Sequence, residues 1–476
     1  MDLALNLAGD GPRGASLVEA LREAIVSARL TAGARLPPTR LLAAQLNVSR
    51  GTVVAAYEEL VSEGYCGARV GAGTFVTFDS ARQPAPAAPR RVRLSAWGAR
   101  LALVPPMSEE DACFDFRPGV TPESFPAQAL TRALRRATEG LSQVRGTGDP
   151  AGNRHLREEL VAHLGGTRGL RASADEVIIV SGSQQGLDLA ARLLLDPGER
   201  IVTEEPGYVR ARAAFEALGA AVYPVPVDAG GLCTAHLPPD GARMVYVTPS
   251  HQFPTGSVLT PERRLALLEW AERHDAWVLE DDYDSEFRYG GPPLPCLQGM
   301  DRGGRCLYLG SLSKLLHPAL RVGYLVVPRA LMPAALAAKS MLDQATTTVI
   351  QAALAELFAA GEIERHLRRA MRAYRGRRAH LLAALARWPL PGAHVWPVTG
   401  GLHTCIEIPD LPGAVLLRHA RARDLALVDG TDAYVTPPRG TTLVLWFSRI
   451  PTEQIEPGIA ALQQAVLAAR AECGTR

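Results

Sequence analysis

Residues 311–324 read Ser311-Leu312-Ser313-Lys314-Leu315-Leu316-His317-Pro318-Ala319-Leu320-Arg321-Val322-Gly323-Tyr324. Lys314 is one of two lysines in a chain of 476 residues, the other being Lys339, although Lys and Arg together number 51. Arginine carries nearly all the positive charge, so lysine persists where a guanidinium would not serve. A lysine amine can lose its proton and attack an aldehyde to give a Schiff base, which a permanently protonated guanidinium cannot do. A chance surface lysine would not require the hydroxyls and the arginine that flank this one.

Three further segments extend the reading outward. Trp277-Val278-Leu279-Glu280-Asp281-Asp282-Tyr283-Asp284 is an apolar run that stops in carboxylates. It predicts a buried parallel strand with functional groups at its C-terminal end, where ligands of such sheets bind. A second strand, Glu176 to Val180, runs into Ser181-Gly182-Ser183-Gln184-Gln185-Gly186 and then an amphipathic helix from Leu187 onward. Backbone amides, a hydroxyl and a helix N-terminus there form a phosphate cradle. A third strand, Met244 to Val247, leads into Pro249-Ser250-His251-Gln252-Phe253-Pro254-Thr255-Gly256.

In this order the segments resemble the fold-type I pyridoxal-phosphate enzymes, the aspartate aminotransferase superfamily, from near Phe114 to the end of the chain. The resemblance implies an α/β transferase domain with pyridoxal 5'-phosphate as cofactor. It makes Lys314 the internal-aldimine lysine, Asp281 the carboxylate facing the pyridine nitrogen and Tyr283 a partner of the phenolic oxygen. Ser183, Gln184, Ser311, Ser313 and Arg321 would hold the phosphate, and Tyr208 would lie against the ring. The residue types suit these roles. A carboxylate keeps the pyridine nitrogen protonated, a planar guanidinium matches a dianionic phosphate, and an aromatic face fixes the ring's tilt.

The front of the chain follows another plan. Leu17, Leu21 and Ile25 give one amphipathic helix and Arg40 to Leu46 a second. Asn47-Val48 makes a turn, and Ser49 caps a third helix whose inward face is Val53, Tyr57, Leu60 and Val61. Short strands follow at Tyr65 to Val70 and Thr74 to Phe78, around Gly71-Ala72-Gly73. This is a winged helix-turn-helix of α+β type, with the third helix entering a DNA groove. Leu36-Pro37-Pro38-Thr39-Arg40, Val48-Ser49-Arg50-Gly51-Thr52-Val53 and Gly71-Ala72-Gly73-Thr74-Phe75-Val76 resemble the GntR family of bacterial regulators. By that resemblance Arg40, Ser49, Arg50 and Thr52 touch operator double-stranded DNA, and Arg69 with Gly71 lies in the wing. A net charge of only +2 does not point to nucleic acid; the signal is the local placement of these arginines.

The expected domains are therefore 1–79 for the DNA reader, 80–113 for a Pro/Ala/Arg-rich linker that includes Arg90, Arg91, Arg93 and Arg100, and 114–476 for the aminotransferase-like body. A hydrophobic content of 47% suits several globular cores, and no apolar stretch is long enough for a membrane span. A cytoplasmic protein without membrane contact is expected. The seven cysteines show no paired metal-ligand spacing, so neither disulfides nor a metal is expected.

A GntR-type reader joined to an aminotransferase-like body is the architecture of the MocR subfamily, which this chain resembles in the residues quoted. The resemblance implies a homodimeric, pyridoxal-phosphate-dependent transcriptional regulator that senses an amine, an amino acid or the cofactor itself. Two positions depart from the enzymes. Val444 stands where a carboxylate-binding arginine is usual, and Thr147 where a tyrosine often precedes Gly-Asp-Pro. Arg210 and Arg449 remain as candidate effector ligands. Turnover is accordingly expected to be weak or absent, the competing reading being a working aminotransferase with an attached DNA-binding module.

Overall fold

A computed structural model describes residues 13–79, 93–102, 111–120, 125–143, 146, 148–291 and 294–474. The chain divides into two compact units, Met1–Arg93 and Leu94–Arg476.

In the first unit, helices Arg13–Val26, Thr39–Leu46 and Arg50–Ser62 enclose a core of Leu17, Leu21, Ile25, Leu42, Val53, Tyr57 and Leu60. The turn between the second and third helices is fixed at both sides. Asn47 takes the left-handed conformation (φ 51°), which asparagine tolerates better than most side-chain-bearing residues, and Ser49 Oγ accepts from Thr52 N at 3.0 Å. Tyr57 donates its hydroxyl to the Pro37 carbonyl at 2.8 Å, tying the third helix to the segment before the second. Strands Cys66–Arg69 and Gly73–Val76 pair antiparallel with Arg69 opposite Gly73, and Gly71 (φ 78°) turns the tip.

The second unit is built on an eight-stranded sheet. Its order is Val177–Val180, Gly323–Val326, Cys306–Ser311, Trp277–Asp282, Met244–Val247, Arg200–Glu205, Ala221–Asp228, Gly231–Leu232. The four pairings from Cys306–Ser311 across to Ala221–Asp228 are parallel; Gly323–Val326 runs against both of its neighbours. Helices pack on both faces, so the central strands are buried throughout and read as unbroken apolar runs. A smaller antiparallel sheet of His394–Val395, His403–Pro409, Gly440–Trp446 and Val428–Asp429 carries the second core, with Tyr374, Leu381, Leu443 and Phe447.

Several element boundaries differ from the sequence-based expectation. The helix expected from Leu187 begins at Ser183, directly after Gly182 (φ 83°). Residues 348–387 form two helices, Thr348–Ala359 and Glu362–Arg387, because Gly361 (φ 66°) breaks the stretch in the left-handed conformation. Within the interval expected as linker, Ser95 caps a helix Ala96–Leu101, and Arg100 donates to the Ala217 carbonyl at 3.1 Å. That part of the interval packs on the larger unit. Arg90, Arg91 and Thr147 lie outside the described residues.

Candidate functional site

Parallel pairing of Trp277–Asp282 with Cys306–Ser311 places Asp281 opposite Leu309 and Asp282 opposite Gly310, so the carboxylates and the Lys314 segment leave the sheet at the same end. Successive side chains of a strand face opposite sides. Asp281 accepts from Tyr246 Oη at 2.8 Å through Oδ2, while Oδ1 is buried with no hydrogen-bond partner among the described residues. Burial raises the Asp281 pKa from 3.8 to about 7, with Asp282 and Asp284 adding to the rise and the Tyr246 hydrogen bond opposing it. Asp282, on the other side, accepts from Arg168 Nε at 2.9 Å and Tyr308 Oη at 2.7 Å. One carboxylate is satisfied by the fold and its neighbour keeps a free oxygen.

Lys314 lies on the one-turn helix Leu312–Leu315 that follows Ser311, whose Oγ accepts from Ser313 N at 3.1 Å. Its Nζ sits 4.4 Å from the centre of the Trp446 ring. Burial pushes its pKa down to about 8, with Asp284 pulling the other way. Pro318–Leu320 then forms a tight turn, and Arg321 adopts the left-handed conformation (φ 51°) that returns the chain into the antiparallel strand Gly323–Val326. The Arg321 guanidinium donates to the Ser181 carbonyl at 3.1 Å. It closes so tightly on Gly182 that a Cβ there would stand 2.5 Å from Nη2. Ser183 opens the helix Ser183–Leu194 next to this contact, and Gln184 Nε2 reaches the Arg210 carbonyl at 3.5 Å. The structure thus brings Ser181, Gly182, Ser183 and Arg321 together.

Tyr208 precedes the helix Val209–Leu218 and meets Phe253 edge to face at 5.5 Å. Tyr283 Oη lies 3.0 Å from His251 Nδ1, which is also 3.1 Å from Asp284 Oδ2. His403 lies beside His251 with the rings tilted at 58° and their centres 4.7 Å apart, and is held neutral by burial and by that neighbour. His251, Asp284 and His403 offer ligating atoms within 4.8 Å of one another. The sequence alone gives no role to Tyr246, His251, His403 or Trp446, although Tyr246 stands on the strand Met244 to Val247 that it predicts. Val444 is fully buried opposite Cys405 and Val428 and fills the core of the smaller sheet. Arg210 is exposed, and Arg449 is paired with Asp115 at 3.0 Å.

In the first unit Arg40, Ser49 and Arg50 are exposed and Thr52 is half-buried, its hydroxyl 2.8 Å from that of Ser49. Arg69 is exposed beside the Phe75 ring at 5.3 Å, next to the fully exposed Val70 and Gly71 at the hairpin tip.

Residues 14–76 match the family described as bacterial regulatory proteins of the gntR family, and residues 121–451 match aminotransferase class I and II. A probable rhizopine catabolism regulatory protein, MocR, of Rhizobium meliloti is 34% identical across 98% of this chain and 96% of its own length. The chain belongs to the MocR-type GntR regulators. This MocR-type chain is also 34% identical to the pyridoxine biosynthesis regulator PdxR of Corynebacterium glutamicum, over 86% of each. Its larger unit is similar to Pyrococcus horikoshii kynurenine aminotransferase, with a TM-score of 0.71 at 29% identity over 79% of this chain and 95% of that one. The MocR-type chain is thus a transcriptional regulator with a DNA-binding helix-turn-helix and a body of the aminotransferase fold, whose members bind pyridoxal phosphate. Among the described residues no helix is long and apolar enough to cross a membrane.

Proposed function

We propose that this regulator binds pyridoxal 5'-phosphate at Lys314 and Asp281, and that an amine, an amino acid or the cofactor itself acts there as the signal controlling operator binding. The observation that carries the reading is the buried, unpartnered Oδ1 of Asp281 at the end of a parallel strand. A buried carboxyl oxygen without a donor is costly, and a ligand N–H⁺ of pyridinium type supplies the missing partner. The close seat of Arg321 on Gly182 supplies a guanidinium and helix amides in one place, a donor set that fits a phosphate. The residues present therefore fit the group.

Asp281 would hold the ring nitrogen, Tyr283 the phenolic oxygen, and Tyr208 a ring face. Ser183, Gln184, Ser311, Ser313 and Arg321 would take the phosphate. When bound, the cofactor supplies an aldehyde carbon that captures primary amines and a ring that withdraws electrons from them. With its pKa lowered toward 8, Lys314 is an amine that can shed its proton near neutrality. Trp446 packs against that amine and keeps bulk water from one side of it. Arg210 and Arg449 would meet an anionic group on the effector, and Arg449 would exchange Asp115 for it.

In the reader, Arg50 and Thr52 at the start of the third helix would face base edges, Arg40 and Ser49 the backbone, and Arg69 with Gly71 the wing contact. A homodimer would present two such readers, and any effector that changes their spacing must itself bind with an affinity that depends on DNA. Supporting the reading, relatives named as regulators of rhizopine catabolism and of pyridoxine biosynthesis share both units. The test is direct. Full-length protein supplied with the cofactor should be yellow and should retain it covalently after borohydride treatment, and folded Lys314→Ala should show neither. A folded variant that keeps both refutes the assignment.

A further inference from the structure

Lys339, the other lysine, is fully buried on the helix Met332–Asp343. Its Nζ donates to Asp343 Oδ1 at 2.5 Å and to Thr346 Oγ1 at 3.1 Å. The second oxygen of Asp343 accepts from Gln185 Nε2 at 2.9 Å. With its amide nitrogen committed in this way, Gln185 presents Oε1 to Ser181 N at 2.7 Å. The carbonyl of that same Ser181 accepts from Arg321 Nη2 at 3.1 Å. Thr346 Oγ1 also donates to the Ile179 carbonyl at 3.3 Å, on the strand that feeds the turn. A series of hydrogen bonds therefore joins a buried ammonium to the Ser181 N–H, and the backbone of Ser181 carries the link on to the carbonyl that holds Arg321.

The direction of each link matters. A glutamine amide has one accepting and one donating end, and its orientation is decided by its neighbours. Turned over, Gln185 would set its NH₂ group against the Ser181 N–H. The Asp343 side chain retains 23% exposure and, left alone, would share its lone pairs with water. The ammonium anchors one carboxylate oxygen and leaves the other aimed at Gln185.

We infer that Lys339 is a positioning residue for the phosphate turn. Through Asp343 and Gln185 it anchors the Ser181 N–H, and so the start of the turn whose next carbonyl holds the Arg321 guanidinium and whose following amides open the helix Ser183–Leu194. The inference rests on the reading of that turn as the cofactor's phosphate site.

Equilibrium binding of pyridoxal phosphate and of pyridoxal, which lacks the phosphate, to cofactor-stripped full-length protein separates this role from general support of the fold. Lys339→Met removes the ammonium, and Gln185→Leu cuts the series in its middle while leaving the lysine–aspartate pair intact. Each should weaken pyridoxal phosphate about tenfold or more, as loss of outer supporting groups does at other charged sites, and leave pyridoxal within about twofold. If Lys339→Met does not fold, Gln185→Leu alone decides. An unchanged preference for the phosphorylated compound in Gln185→Leu overturns the inference, as does an equal loss of both ligands. A wild-type chain that binds neither compound overturns the cofactor reading itself, and this inference with it.

Discussion

Asp281→Asn should stabilise the cofactor-free protein at alkaline pH. Burial raises this carboxyl from 3.8 to about 7. Between those values the native state keeps a proton that the unfolded chain has released, so native stability is undiminished below the lower value and is lost as pH rises through the window. At about 1.36 kcal/mol for each pH unit between 3.8 and about 7, the upper bound is about 4 kcal/mol, and water reaching the site reduces that to roughly 2–4 kcal/mol. An amide has nearly the shape of the protonated acid and never ionises, so variant and wild type should match near pH 4 and diverge up to pH 8. Glu280, pushed up to about 7 by burial, titrates in both proteins and cancels in the difference, whereas Glu204, which the Asp281 charge helps to raise, is relieved in the variant and adds to the gain at high pH. Urea unfolding of the larger unit at the two pH values measures it. Saturating pyridoxal phosphate should reverse the order at pH 8, because only the carboxylate gains a cationic partner there. A variant whose stability shows the wild-type pH dependence, or that is the less stable at pH 8 without cofactor, would refute the reasoning.

Lys314, depressed to about 8, should load cofactor at a rate that rises with pH and levels off above that value, read by stopped-flow absorbance; a flat profile from pH 6 to 9 contradicts the assignment. Arg50→Ala should cost about 1–3 kcal/mol of operator binding and relax specificity, whereas Arg40→Ala should lower the salt slope by about one. Fluorescence anisotropy across salt concentrations distinguishes the two, and an unaltered operator affinity in Arg50→Ala would count against the reader assignment. Arg168→Met leaves Asp282 buried with only Tyr308 and should lower the stability of the larger unit by about 3–5 kcal/mol in denaturant titration. Turnover of simple α-amino acids with a keto acid should be slow or undetectable, since Val444 is enclosed in the core. Sustained rates of roughly 1–1000 per second in a coupled assay would restore the aminotransferase reading.

Elements whose cause is local could be read from the sequence. The strand Trp277–Asp282 announces itself as an apolar run ending in acids, and Ser49 as a cap before Val53. The start of the helix at Ser183 is not legible because its first turn is polar, and periodicity shows only where core-facing residues begin. The break at Gly361 leaves no clear sequence signal, because apolar and arginine periodicity continues on both sides of it. Site residues whose partners lie far along the chain were illegible for a different reason. Tyr246 meets Asp281 through strand pairing 35 residues away, and Gln185 meets Asp343 across 158. Neither spacing leaves a mark in the sequence, since register between distant segments is set by packing.

Among the chain's 51 basic side chains only two are amines, Lys339 fully buried and Lys314 half-buried against Trp446. Its outward charge is written in guanidinium groups. Acetylation, or any other chemistry that neutralises lysine, finds no fully exposed side-chain amine on this regulator, only the half-buried Lys314. Side-chain amine-directed reagents applied to the native protein therefore report on Lys314, and the grip on nucleic acid cannot be tuned by blocking surface lysines one at a time.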